Sequence, residues 1–194
     1  MKRAFVIAME NEADAVRPHL KPDDRLYVSG IGKVNAAAMT MKAICEGADE
    51  IWNAGLCGGL DPAMKIGDVY EVESAVEYDF DLATLNGTTV GQLNERDSPY
   101  IPCTPLGKFP ARKLATGDRF NDNEDDFKLL ESLGTTLRDM EGAAVAHVCE
   151  KFGVRFVSIK CVSDVHGKGA MTDQFLTNLS NALERLSAAL AEIV

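Results

Sequence analysis

The chain is predicted to adopt an α/β fold, a mostly parallel sheet covered by helices, on three observations. Short apolar runs alternate along the sequence with stretches of helical period, the pattern left by strand-helix-strand units. With 46% hydrophobic, 26% charged and 7% aromatic residues, there is enough apolar mass for a core and too little charge to keep the chain unfolded. At 194 residues it has the length of one ordinary domain, so residues 1–194 are read as a single unit.

The elements follow in order. The unbroken apolar run within Arg3–Ala8 reads as a strand buried on both faces, and Asn11–Val16 as the short helix after it. Leu26–Ser29 is a second strand, and the glycines beyond it lead into a helix at Val34–Glu46, where apolar residues recur every three or four positions. Glu50–Ala54 and Asp68–Ser74 are strands. From Asn86 to Pro110 the chain is rich in Gly, Pro, Asn and Thr without a period, which predicts a long irregular excursion of the lid or interface kind. A strand at Lys113–Thr116, helices at Asn123–Leu133 and Gly142–Phe152 and a strand at Arg155–Val162 come next. The last helix, Thr172–Ile193, carries Phe175, Leu176, Leu179, Leu183, Leu186 and Leu190 on a core-facing stripe, with Asn178, Glu184 and Arg185 toward water. No internal repeat is visible.

Charge and cysteine usage remove several classes of function. Twenty Lys and Arg against thirty Asp and Glu give a formal charge of −10, which disfavours a non-specific grip on nucleic acid or anionic lipid. No apolar stretch approaches the roughly 20 residues that a membrane span needs, and the acidic opening lacks the features of a signal peptide, so a cytoplasmic protein is expected. Cys45, Cys57, Cys103, Cys149 and Cys161 are scattered and odd in number, and read as small buried hydrophobes in a reducing compartment. No cysteine or histidine pair stands at metal spacing, so no metal is expected.

Ligands of open α/β sheets bind at the carboxyl ends of strands, and four places there carry chemistry. They are Met9-Glu10-Asn11-Glu12, Gly55-Leu56-Cys57-Gly58-Gly59, Arg138-Asp139-Met140-Glu141-Gly142 and Ser163-Asp164-Val165. Glu12 and Glu141 each fall at a helix start, where a carboxylate also complements the helix dipole, and Asp164 could serve as a turn residue. Three carboxylates on three connections can nevertheless bind sugar hydroxyls, activate water and protonate a leaving group. Gly30-Ile31-Gly32-Lys33 fails the phosphate-loop pattern, with Tyr27 and Val34 where Gly and Ser or Thr are required, and reads as a tight strand-to-helix turn. The Gly55–Gly59 cluster either lets the backbone approach a ligand or another strand, or marks a bulge.

Six segments, AMENEADAV at 8–16, SGIGKVNAA at 29–37, NAGLCGGLDPAMKIGDV at 53–69, ATGDRFND at 115–122, RDMEGAAVAHVC at 138–149 and VSDV at 162–165, together resemble the methylthioadenosine/S-adenosylhomocysteine nucleosidase branch of the purine nucleoside phosphorylase superfamily. The resemblance implies a three-layer α/β/α sandwich around a twisted mixed sheet, a homodimer, and cofactor-free hydrolysis of the N-ribosyl bond of a small purine nucleoside. By position, Glu12 matches the general base and Asp164, steadied by Ser163, the acid at the purine. Glu141, with the Met140 backbone, matches the group that grips the ribose hydroxyls. Phe120 matches the aromatic that stacks on the base, and the Asn121 backbone the reader of its edge. Met9 and Met140 match apolar contacts along the sugar and its 5′ substituent, Gly58 belongs to the substrate-binding set, and Lys160 stands where the hydrolases usually carry an arginine near the water.

Three departures accompany these matches. Leu56 replaces a small hydroxyl residue, the stretch between Leu20 and Leu26 is short and predicts a trimmed sheet edge, and Arg119 places a cation beside Phe120. A futalosine-hydrolase-like enzyme, a phosphate-dependent phosphorylase and a nucleoside-binding protein without turnover are the alternatives.

Overall fold

The computed structural model describes residues 2–93 and 95–194. In chain order the elements are β1 (Arg3–Ile7), α1 (Glu10–Val16) with a 3₁₀ turn (Arg17–His19), β2 (Arg25–Val28), α2 (Lys33–Cys45), β3 (Glu50–Gly59), β4 (Val69–Glu77) and α3 (Ala83–Asn86). They continue with β5 (Ile101–Pro102), β6 (Ala111–Thr116), α4 (Glu124–Ser132), β7 (Leu137–Asp139), α5 (Gly142–Phe152), β8 (Arg155–Val165) and α6 (Met171–Ile193).

The eight strands form one mixed sheet. β1 pairs in parallel with β2 and β3, β3 with β8, β4 with β6 and β6 with β7, whereas β7 runs antiparallel to β3, and β8 and β5 antiparallel to β4. Because β8 joins β3 to β4 and β7 joins β6 back to β3, the five strands β3, β8, β4, β6 and β7 close into a ring. β1 and β2 extend outward from β3, and β5 edges β4.

The helices cover both faces, as a three-layer arrangement requires. Along β1, Ala4 and Val6 point to one cluster, which Ala43 of α2 and Val145, Ala146 and Cys149 of α5 complete. Phe5 and Ile7 point to the other, with Ala13 and Val16 of α1 and Ala182, Leu186 and Leu190 of α6. That two-sided burial is why the strand has no polar alternation, and each such large apolar side chain contributes about 1.5–3 kcal/mol. A third cluster joins Phe127 and Leu130 of α4 to Val76 and Ala115.

Several expectations are corrected. β3 runs on to Gly59 and β8 to Val165, so the glycine cluster and Ser163-Asp164 lie within strands rather than beyond them. Within the glycine cluster, the pairing of β3 with β8 shifts register between Cys57 and Gly58, a bulge or similar irregularity. β7 and β5, three and two residues long, are too short to leave a period. The excursion after Asn86 holds only β5 as a regular element among the described residues, and its Asn94 lies outside them. Its end is tied down by Glu71, whose buried carboxylate accepts the N–H groups of Leu106, Gly107, Lys108 and Phe109 at 2.5–3.0 Å. On α6, Leu176 is 65% exposed, while Asn178 is half-buried and donates to the Ser163 carbonyl at 3.3 Å. Cys45 is exposed, whereas Cys57, Cys149 and Cys161 are buried as expected.

Candidate active site

A cavity of about 390 Å³ opens where the carboxyl ends of β1, β3 and β8 meet the β7–α5 junction. Of the residues matched to site roles in the sequence, Met9, Glu12, Gly58, Phe120, Met140, Glu141, Ser163 and Asp164 line it, as do Leu56 and Arg119. Lys160 and Asn121 are not in the wall.

Glu12 sits in the first turn of α1, and both its oxygens are held by backbone. Oε1 accepts the Leu56 N–H at 2.8 Å and Oε2 the Met9 N–H at 3.1 Å. The second bond is an ordinary helix cap, but the first reaches across to β3, and it explains Gly55, where a Cβ would stand 2.6 Å from Oε1. Burial raises the proton affinity of Glu12, against the pull of the two N–H groups and of Lys160.

Glu141 is the N-cap residue of α5, yet its side chain does not cap that helix. The first N–H groups of α5 are taken by others, Gly142 by Asp139 Oδ2 at 2.9 Å and Ala143 by Thr116 Oγ1 at 2.9 Å. Glu141 is thereby free to turn toward the cavity, where Oε1 accepts the Gly32 N–H at 2.8 Å. The GIGK turn is therefore a carboxylate cradle, with Gly30 and Gly32 at φ of 82° and 102° that other residues rarely adopt. Its Lys33 faces away, on Glu77 at 3.2 Å and Asp79 at 2.5 Å.

Beneath Glu12 and Glu141 lies Lys160, 2% exposed, with Nζ 2.8 Å from Asp139 Oδ2. Burial works against its charge, but Asp139, Glu141 and Glu12 outweigh that cost and keep it protonated. Asp139 is further fixed by the Thr116 hydroxyl at 2.5 Å. Three carboxylates share one ammonium here, and burial together with the Asp139 charge pushes Glu141 up to about 7.

At the other end of the cavity Asp164 leans over Gly58, where a Cβ would stand 2.9 Å from Oδ2. Ser163 Oγ donates to Asp164 Oδ1 at 2.8 Å and also lies 3.2 Å from the Cys57 carbonyl. Burial raises the proton affinity of Asp164, partly offset by Ser163 and the charge of Arg138. Phe120 meets Phe175 of α6 edge-on, ring centroids 5.7 Å apart. The Asn121 carbonyl accepts from Arg138 Nη2 at 2.7 Å.

Sequence reasoning did not assign Arg138, Asp139 or Thr116. For Arg138 and Asp139 the signal was present in the RDMEG segment itself, and in a lysine that, once buried, had to find a carboxylate; Thr116 left none. Among the described residues no group of three or more His, Cys, Asp or Glu is disposed to hold a metal ion.

Residues 25–194 match the family described as the phosphorylase superfamily. The chain belongs to that superfamily. Within it, the chain groups with the 5′-methylthioadenosine/S-adenosylhomocysteine nucleosidases: it is 34% identical to the one from Marinomonas sp. (strain MWYL1) over 74% of this chain and 68% of that relative. Solved structures share its fold. The nucleosidase from Neisseria meningitidis, in complex with methylthio-immucillin-A, superposes with a TM-score of 0.86 at 25% identity, over 100% of this chain and 98% of that one. Futalosine hydrolase of Helicobacter pylori shares the fold, with a TM-score of 0.88 at 21% identity over 100% and 98% of the two chains.

Proposed function

We propose that this superfamily member is a nucleosidase that hydrolyses the N-ribosyl bond of methylthioadenosine, S-adenosylhomocysteine or a related purine nucleoside. The observation that carries the reading is the placement of two buried carboxyls with raised proton affinity, Glu12 and Asp164, on opposite sides of one cavity, with Glu141 between two helices' starts and the sugar space. Glu12 takes a proton from water as its oxygen bonds to C1′ of the ribose. The C1′–N9 bond breaks, its electron pair leaves with the base, and Asp164 delivers a proton to N7. Glu141 accepts hydrogen bonds from the ribose hydroxyls, and the negative charge of the pocket favours the oxocarbenium-like state. Free base and ribosyl product result.

Water rather than phosphate as acceptor is supported by two features. Leu56 offers no hydroxyl, and Lys33 is spent on Glu77 and Asp79. A second reading, hydrolysis of a nucleoside with a larger 5′ group, is favoured by Arg119, which lines the cavity with its guanidinium half-exposed on Asp126 at 2.8 Å. The proposed assembly is a homodimer, checked by sedimentation, in the cytoplasm, where all five cysteines can stay as the free thiols they are here.

Base release from methylthioadenosine, S-adenosylhomocysteine, adenosine, inosine and futalosine, with and without phosphate, tests the proposal. Phosphate-independent release supports a hydrolase, phosphate-dependent release replaces it with a phosphorylase, and silence across the panel overturns it.

A further inference from the structure

Three adjacent strands place Arg138, Gly58 and Asp164 in one row. Gly58 is the register partner of Arg138 on β7 and of Asp164 on β8. Partners in register project to the same face of a sheet, and Gly58 has no side chain to stand between the two charged ones. Asp164 Oδ2 already leans over Gly58, 2.9 Å from where a Cβ would be, and Arg138 lines the same cavity wall.

The two carboxyls given proton-transfer roles are held differently. Both oxygens of Glu12 accept a backbone N–H, whereas Asp164 has one donor among the described residues, Ser163 Oγ on Oδ1 at 2.8 Å. One donor suits a neutral acid. Delivering the proton leaves a carboxylate with room for several donors, on a side chain only 4% exposed. A buried charge so poorly met is costly, so the proton transfer is uphill unless a cation stands ready to receive it.

Arg138 has that capacity unspent. It is 5% exposed, and its Nη2 donates to the Asn121 carbonyl at 2.7 Å and lies 2.8 Å from Met171 Sδ. Its Nη1 is buried without a hydrogen-bond partner among the described residues. The groups that face Asp164 are Arg138 from β7, Asp122 from the loop before α4, the Cys57 thiol of β3 and His166 just past β8. Arg138 is the permanent cation of that set, since a guanidinium keeps its proton at any working pH.

We propose that Arg138 is a positioning residue for the acid, its guanidinium receiving the Asp164 carboxylate over Gly58 once the proton has passed to the base. In that step the Asp164 O–H proton goes to the purine, the C1′–N9 electron pair leaves with the base, and the carboxylate left behind pairs with Arg138. When the products depart, solvent takes the proton held by Glu12 and returns one to Asp164. The inference rests on the nucleosidase reading and gives Arg138 a part in it that needs no contact with substrate.

The test compares the native protein with Arg138→Lys, which keeps a cation, and with Arg138→Gln and Arg138→Met, which do not. kcat and KM are measured across pH for whichever of methylthioadenosine, S-adenosylhomocysteine, adenosine, inosine and futalosine the native protein hydrolyses fastest, with circular dichroism checking each fold. The alkaline limb of kcat marks the pH above which Asp164 has lost its proton. Without the charge of Arg138 the acid holds that proton more tightly, so the limb should move about one unit to higher pH in both neutral variants. Their kcat at the optimum should fall about 10- to 100-fold, the range for a lost hydrogen bond to a charged group. Arg138→Lys should keep the limb near its native position and recover part of the rate. A limb that stays in place in the neutral variants, or a loss as large in Arg138→Lys as in Arg138→Gln, makes the role structural and overturns the proposal while hydrolysis stands. So does a near-native kcat in a folded neutral variant, or the failure of both neutral variants to fold. If the native protein hydrolyses none of the five nucleosides, the nucleosidase reading falls and the proposal with it.

Discussion

The two ends of the cavity are built by different means. At the end proposed to hold the sugar, Glu12 and Glu141 are gripped by backbone N–H groups of Met9, Leu56 and Gly32, and their charge is balanced from below by Lys160. At the base end Asp164, Ser163 and Arg138 hold one another or a neighbouring loop through side chains, and donors remain unspent. Backbone anchoring depends on strand and turn geometry and tolerates little change of residue. Side-chain anchoring can be rewritten one residue at a time, so the chemistry is expected to be rigid at one end and the choice of base adjustable at the other.

That contrast can be broken most sharply at Glu12. Glu12→Gln keeps the shape but only one of the two backbone bonds, because an amide nitrogen cannot accept an N–H, and it cannot take a proton, so turnover should fall by about 10²–10⁴-fold. That fall in a variant that still folds, checked by circular dichroism, would uphold the role, and a near-native rate would remove it. Next in size is the balance of charge beneath the sugar. Lys160→Met leaves Asp139, Glu12 and Glu141 without their cation and should cost about 3–5 kcal/mol in denaturant unfolding, far more than any change at exposed Arg119.

The same end should respond to pH. Glu141 is pushed from 4.5 to about 7 by burial and by Asp139, so the folded chain holds a proton that the unfolded chain has already lost. Its contribution to stability is therefore lost as pH rises between those values, with the full penalty present above about 7. Melting temperatures should rise on going from about pH 8 to about pH 6, and Glu141→Gln should flatten that part of the profile. The smallest effect belongs to the base end, where Phe120→Leu removes an aromatic face worth about 0.5–1.5 kcal/mol. A several-fold rise in KM with kcat nearly intact is expected, and a loss confined to kcat would place Phe120 elsewhere in the reaction.

The division also explains what the sequence made legible. Glu12, Glu141 and Asp164 stand at strand ends and helix starts, positions that apolar runs and glycine clusters announce, and all three reach the cavity. The purpose of the glycines was not readable. Gly55 and Gly58 make room for Glu12 and Asp164, a contact between residues 43 and 106 positions apart in the chain (55 − 12 and 164 − 58) that no local pattern reports. Arg138 and Asp139 escaped for a related reason. They lie on a strand three residues long, where polar side chains are buried because neighbouring strands enclose them and not because of any periodicity of their own. Leu176 failed in the opposite sense: its spacing fits the stripe on α6, but it lies at the edge of the contact, beyond the residues that meet the sheet.

The closed ring of β3, β8, β4, β6 and β7 separates the cavity floor from the outer border of the sheet. Arg138, Gly58, Lys160 and Asp164 all stand on strands of the ring, whereas β2 pairs only with β1, outside it. The stretch from Leu20 to Leu26 lies on that outer hem, after Glu12 has already been fastened to β3. The floor of the cavity is thus insulated from changes at this border of the sheet.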